Sequence, residues 1–124
     1  VGARLILVAE AEAAVRQSLV DVLSLEGHEV DGAGDAETVL LLLEQRHYEL
    51  IVADLRMADL HGPALLRVLQ ERAGADPPPR LVFVTHLTFD PEYGGFLADL
   101  RVPVLMKPLK PGRVLELVGR VLET

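Results

Sequence analysis

Asp54 closes the apolar run Leu50-Ile51-Val52-Ala53 and opens the stretch Asp54-Leu55-Arg56-Met57-Ala58-Asp59-Leu60-His61-Gly62. A carboxylate therefore stands where a buried strand passes into a loop. Glu10 and Glu12 follow the first run of this kind, Thr85 ends the fourth, and Lys107-Pro108 ends the fifth. A carboxylate nucleophile, further acids, a hydroxyl and an ammonium in one crevice suit phosphoryl transfer to a carboxylate, where Mg²⁺ and a cation hold phosphate oxygens. Taken singly, each residue has a simpler explanation. Asp54 reads as a turn or helix-cap residue, Thr85 as a β-former, Lys107 as an exposed strand-end charge, and Glu10 and Glu12 as solvated acids near a helix start. Their joint placement at strand ends carries the argument.

Positioning them requires a particular frame. Five short runs rich in β-branched residues, Leu5 to Ala9, Glu29 to Ala33, Leu50 to Ala53, Leu81 to Thr85 and Pro103 to Met106, have the length of strands. Helical spacing lies between them. Val15, Leu19, Val22 and Leu23 form one stripe that stops near Gly27, and Val114, Leu117, Val118, Val121 and Leu122 form another after Pro111-Gly112. Asp35 is an expected N-cap for the second helix, which runs to about His47. Gly62-Pro63 starts the third, and Gly74 with Pro77-Pro78-Pro79 ends it in a rigid loop. The fourth helix, about Pro91 to Leu100, contains Gly94-Gly95, each costing about 1 kcal/mol against alanine, so a short or irregular element is expected. Strands alternating with helices predict a doubly wound α/β sandwich of the flavodoxin-like (βα)5 type, with a five-stranded parallel sheet in the order 2-1-3-4-5. In such a sheet, ligands bind beyond the carboxyl ends of the strands, where all the residues named above lie.

The chain has 124 residues, half of them hydrophobic, which predicts one domain spanning residues 1–124 with a core that needs no covalent staples. The absence of cysteine removes disulfides, thiolate metal sites and thiol catalysis, and agrees with a cytoplasmic location. No apolar stretch approaches membrane-spanning length, so no membrane contact is expected of this segment. A first residue of Val suggests a domain excised from a longer protein. A net charge of −7 and the lack of Trp, with two Tyr and three Phe, argue against phosphate-backbone binding and base stacking, hence against nucleic acid as a partner.

Leu5-Ile6-Leu7-Val8-Ala9-Glu10-Ala11-Glu12, Asp54-Leu55-Arg56-Met57, Val84-Thr85 and Lys107-Pro108, in this order and spacing, resemble the receiver domain of two-component response regulators from Leu5 to Leu122. The resemblance implies that Asp54 is a phosphoacceptor, taking a phosphoryl group from a phosphohistidine of a sensor histidine kinase or phosphotransfer protein. It implies that Thr85 hydrogen-bonds a phosphoryl oxygen and that Lys107 pairs with the phosphate as a point charge. Mg²⁺ is the implied cofactor, with Glu10, Asp54 and the backbone carbonyl of Arg56 as ligands. Pro108 is implied to follow a cis peptide bond. The domain itself is not expected to be an enzyme beyond slow self-dephosphorylation. The fourth helix, fifth strand and fifth helix are the implied partner face, and a second copy of the chain is one expected occupant.

The chain departs from that pattern at three places. Receiver domains usually carry two adjacent acids after the first strand, the second a direct Mg²⁺ ligand, whereas the pair here is Glu10-Ala11. Ala11 therefore marks a missing acidic ligand, which predicts weaker Mg²⁺ binding, with water or an inward-reaching Glu10 or Glu12 in compensation. His86 follows Thr85 where a small residue is usual, either as an exposed loop histidine or as a group gating Asp54. Val104 stands where many receivers place an inward-rotating aromatic, so a Thr-to-aromatic switch is not expected. Tyr93 and Phe96 are candidate partner anchors, with core packing the simpler reading of Phe96. His28, His47 and His61 lack metal-ligand spacing and are expected to face solvent.

The alternative to a phosphorelay receiver is a pseudo-receiver, a phosphorylation-independent interaction module, and Ala11 is its main support. An unrelated enzyme lacks its motif, since neither a Gly-rich phosphate loop nor a Ser-His or Cys-His pairing occurs. The stretch Phe96 to Pro108 resembles receivers attached to hybrid sensor histidine kinases.

Overall fold

Apolar residues on both sides of a strand must find cover on both faces, and the computed structural model, which describes residues 3–72, 74, 77–86 and 90–123, has that layout. Five strands, β1 (Leu5–Ala9), β2 (Glu29–Ala33), β3 (Leu50–Asp54), β4 (Arg80–Thr85) and β5 (Val104–Met106), form one parallel sheet in the order β2-β1-β3-β4-β5. The helices α1 (Ala13–Leu25), α2 (Ala36–Gln45), α3 (Gly62–Arg72), α4 (Gly94–Leu100) and α5 (Pro111–Glu123) alternate with them. This is the expected flavodoxin-like order.

Period-two alternation sorts the strand side chains into two cores. Ile6, Val8, Leu50, Val52, Val82, Val84 and Leu105 pack with Leu19 and Leu23 of α1 and with the α5 stripe Val114, Leu117, Val118 and Leu122. On the opposite face Leu7, Ile51, Ala53 and Phe83 meet Val39 of α2, Leu65 and Leu69 of α3, and the partly buried Phe96 and Leu97 of α4. Phe83 is fully buried and its ring lies 5.9 Å from that of Phe96. Phe96 is thus a packing residue, and truncating a buried Phe such as Phe83 typically costs about 3–5 kcal/mol.

Local signals explain the boundaries. Asp35 caps α2 by accepting the Thr38 N–H at 2.8 Å. The α1 end is closed by Gly27, whose φ of +88° lets its N–H reach the Ser24 carbonyl at 2.9 Å. Three expected limits move slightly: α2 stops at Gln45, β4 begins at Arg80, and β5 begins at Val104 because Pro103 donates no ladder bond. The fourth helix is shorter than the expected Pro91 to Leu100. It starts at the Gly94-Gly95 pair because the residues before it turn around Asp90, whose carbonyl accepts the Gly94 N–H at 2.8 Å. A Cβ added at Gly95 would meet open space, whereas one at Gly62 would lie 2.7 Å from Leu55 Cδ1.

Two histidines do not stand free in solvent. His61 is half-buried, accepts the Ala64 N–H on Nδ1 at 3.2 Å, and stacks on Tyr93 with centroids 5.6 Å apart. His28 is half-buried and accepts the Arg4 N–H at 3.2 Å. Both corrections share a cause, since the ring nitrogen satisfies a backbone N–H that would otherwise lack a partner at an element end. His47 is exposed, as expected.

Candidate phosphoacceptor site

The parallel register brings the carboxyl ends of β1, β3, β4 and β5 to one edge. Asp54 pairs with Val84, so Thr85 lies one residue beyond it, and Thr85 in turn pairs with Met106, the residue before Lys107. The Lys107 N–H donates to the Thr85 carbonyl at 2.8 Å, which fixes the start of the β5–α5 loop. The Lys107–Pro108 peptide is cis.

Lys107 Nζ lies 2.8 Å from Glu10 Oε1 and 3.6 Å from Asp54 Oδ2. Its side chain is 6% exposed, that of Glu10 2% and that of Asp54 16%, so the phosphoacceptor candidate is the member open to solvent. Burial disfavours the ammonium, but the Glu10 contact and the charges of Asp54 and Glu10 outweigh it and lift the Lys107 pKa above the usual lysine value. Lys107 therefore holds its proton across the physiological range.

Glu10 reaches across the site because it is one methylene longer than Asp. Its Oε2 accepts the Glu12 N–H at 3.1 Å. Its Oε1 is buried, with Lys107 beside it but no aligned hydrogen-bond donor among the described residues. Glu12 is exposed at the N-cap of α1, and its carboxylate makes no side-chain cap bond. Ala11 is exposed and brings no oxygen but its carbonyl. Asp54 Oδ1 accepts the Arg56 N–H at 3.1 Å. Thr85 is buried. His86 is exposed and, with Glu12, Val15, Ser18, Lys107 and Leu109, lines a groove of about 400 Å³ beside the site.

The donor set fits a hard cation in part. Among the described residues no three His, Cys, Asp or Glu side chains are grouped to hold a metal ion. Glu10, whose Oε1 is buried beside Lys107, and Asp54 are the carboxylates within the site, Glu12 stands exposed at its edge, and Ala11 would leave one ligand position to water. Such a set suits Mg²⁺, which accepts few protein ligands and keeps several waters.

Three contributors to this edge escaped the sequence reading. Arg16 donates to the Glu10 carbonyl at 2.7 Å and the Ala11 carbonyl at 3.4 Å, bracing the β1–α1 loop. Gly32 and Gly34 make room for it, since a Cβ at Gly34 would lie 2.6 Å from Arg16 Nη1. Asp59 accepts the Ala36 N–H at 2.9 Å, joining the β3–α3 loop to α2. Asp90 is buried and accepts two hydrogen bonds from Arg56, at 2.8 and 3.1 Å. An arginine two residues after a strand-terminal Asp was a visible signal, but its partner, separated by another strand, was not.

A five-stranded parallel α/β sandwich with acids, a hydroxyl and a lysine at its carboxyl edge defines a receiver-type domain. The family model described as the response regulator receiver domain matches residues 6–119, and the chain belongs to that family. The chain is 36% identical over 72 residues to the two-component response regulator PhoP of Pseudomonas aeruginosa, a match covering 58% of this chain and 32% of that protein. It is 28% identical over 124 residues to the sensor kinase CckA of Brucella abortus, covering 98% of this chain and 13% of the kinase. The chain thus spans about a third or less of the length of the curated relatives it matches. The fold matches chemotaxis response regulator CheY4 of Vibrio cholerae, with a TM-score of 0.83 at 21% identity over 96% of this chain and 98% of that one. It also matches NtrX from Brucella abortus in complex with ADP, with a TM-score of 0.84 at 27% identity over 98% of this chain and 27% of that one. Receivers of this family generally work with kinases or phosphotransfer proteins and are not enzymes of the usual kind. Among the described residues no helix is long and apolar enough to cross a membrane.

Proposed function

We propose that this chain is a phosphorelay receiver that accepts a phosphoryl group on Asp54, with an acidic site one ligand short. The observation that carries it is Lys107 Nζ held between Glu10 at 2.8 Å and Asp54 at 3.6 Å at the solvent mouth of the sheet. In the transfer, an Asp54 carboxylate oxygen bonds to phosphorus as the P–N bond of a donor phosphohistidine breaks. The bonding pair stays on the imidazole nitrogen, which then takes a proton from solvent. Lys107 turns from Glu10 to the new phosphoryl oxygens, and Thr85 donates its hydroxyl to another. Glu10, Asp54 and the Arg56 carbonyl would hold Mg²⁺, with water at the Ala11 side. Bound there, the ion neutralises charge on the transferring group. The donor is a sensor histidine kinase or phosphotransfer protein, in keeping with the names of the relatives, and the domain is one part of a longer cytoplasmic signalling protein. The face of α4, β5 and α5 is the partner surface, and a second copy of the chain is a candidate occupant.

Incubation with acetyl phosphate or beryllofluoride and Mg²⁺ tests this reading, with Asp54→Ala as control. Modification that requires Asp54 and Mg²⁺ supports a working receiver. The pseudo-receiver reading is favoured by Ala11 and by the lack of a three-acid cluster among the described residues. It predicts no modification at high Mg²⁺ and rescue by Ala11→Asp. His86, at the rim of the groove, is proposed to gate approach to Asp54. Unchanged phosphorylation and dephosphorylation rates in His86→Ala would remove it from the mechanism.

A further inference from the structure

Arg56 belongs to two places at once. Its main-chain N–H donates to Asp54 Oδ1 at 3.1 Å, so its backbone is part of the phosphoacceptor loop. Its guanidinium leaves that loop and grips Asp90, Nε to Oδ2 at 2.8 Å and Nη2 to Oδ1 at 3.1 Å, in a two-point geometry that fixes both partners. The Asp90 side chain is 1% exposed, and its Oδ1 also accepts the Glu92 and Tyr93 N–H groups at 2.9 and 2.8 Å. Those two residues lead into α4. The guanidinium carbon also lies 5.2 Å from the Tyr93 ring centroid, Arg56 Nη1 is 3.3 Å from Glu92 Oε2, and Tyr93 stacks on His61 before α3. One arginine therefore joins the Asp54 loop to Asp90, Glu92 and Tyr93 at the entry of α4. No aromatic on β5 is present to do so, because Val104 stands there.

We propose that Arg56 and Asp90 form a tether through which the state of the Asp54 loop is passed to α4. Any movement of the Arg56 backbone that accompanies a change at Asp54 pulls on Asp90, and Asp90 loosens or holds the Glu92 and Tyr93 amides. This inference rests on the receiver reading for its biological trigger, while the mechanical coupling itself exists without phosphate. Replacing the Arg56 side chain keeps its carbonyl and N–H and removes its contacts with Asp90, Glu92 and Tyr93.

Amide hydrogen exchange followed by mass spectrometry tests it on the whole chain. In the unmodified protein, Arg56→Ala is expected to speed exchange at Glu92 to Leu97 by roughly tenfold or more, as loss of charge-assisted hydrogen bonds implies, with Arg56→Lys intermediate. Coupling is read from a cycle with Asp54→Ala, which removes the acceptor of the Arg56 N–H. Asp54→Ala should alter exchange in α4 when Arg56 is present and leave it unaltered in the Arg56→Ala background. Equal effects in both backgrounds would overturn the tether and leave Arg56 a local brace. Beryllofluoride with Mg²⁺ supplies the second arm. Wild-type α4 should respond, while Asp90→Asn, which weakens the tether at its other end, should take the ligand, seen by fluorine NMR, without a response in α4. An undiminished α4 response in that variant would also overturn the tether. Failure of the wild-type chain to take beryllofluoride would count against the receiver reading, and the Asp54→Ala cycle would still decide the tether.

Discussion

Glu10 and Asp90 are both carboxylates buried at the carboxyl edge of the sheet, and each faces a cation, but their surroundings differ. Asp90 accepts four N–H hydrogen bonds, two from Arg56 and two from the backbone of Glu92 and Tyr93. Glu10 has one backbone donor on Oε2 and, on Oε1, an ammonium at 2.8 Å that is not aligned as a hydrogen-bond donor. Asp90 has three donors on Oδ1 and one on Oδ2 and behaves as a structural joint. Glu10 has fewer directed donors, which suits the ion and the phosphoryl group proposed for its site. The number of donors on a buried carboxylate thus distinguishes the joint at α4 from the proposed phosphoacceptor site.

The largest effect should come from removing the shared cation. Lys107→Ala strands Glu10 beside Asp54 and is expected to cost about 3 kcal/mol, as for a buried pair broken on one side. The shift of the urea midpoint measures it. Lys107→Ala combined with Glu10→Gln should recover part of the loss, and a full loss in both would show that Glu10 is not the group left stranded. Because the Lys107 pKa is raised in the folded chain, its contribution is complete below the unfolded value of about 10.4 and fades as pH rises through the higher folded value.

Next in size is the ligand deficit. Ala11→Asp should tighten Mg²⁺ by roughly tenfold, about 1.4 kcal/mol, measurable by titration calorimetry. An unchanged affinity would mean that Glu10 or Glu12 already completes the shell. The smallest effect is confined to acid. The Arg56 hydrogen bonds hold the Asp90 carboxyl below the usual range against the opposing effect of burial, and the Tyr93 and Glu92 N–H groups add to the lowering. Its stabilisation is present above the unfolded value of about 3.9 and is lost as pH falls through the lower folded value. Loosening of α4 in wild type should therefore begin only below about pH 3.9. Asp90→Asn should loosen α4 at neutral pH and abolish this acid step, as read by hydrogen exchange across a pH series.

Much of this arrangement was legible in the chain. β1 and β3 read clearly because buried parallel strands are nearly all apolar, and the Asp35 cap read clearly because its partner is three residues away. Strand-end placement was enough to gather Glu10, Asp54, Thr85 and Lys107 at one edge. The fourth helix was less legible, since its start is set by Asp90 rather than by its own propensity. Asp90 itself looks like any loop aspartate, and its significance depends on Arg56, 34 residues away. His61 failed as a solvent-facing residue for the same reason, because its stacking partner Tyr93 arrives from a different loop.

The open space around Gly95 has a practical consequence. The chain has no cysteine, so Gly95→Cys would give a single thiol, placed on α4 two residues after Tyr93 and free of steric conflict at its Cβ. A fluorophore attached there would follow the environment of that helix from inside a mixture of kinase, metal and phosphodonor, in real time and without separating the components.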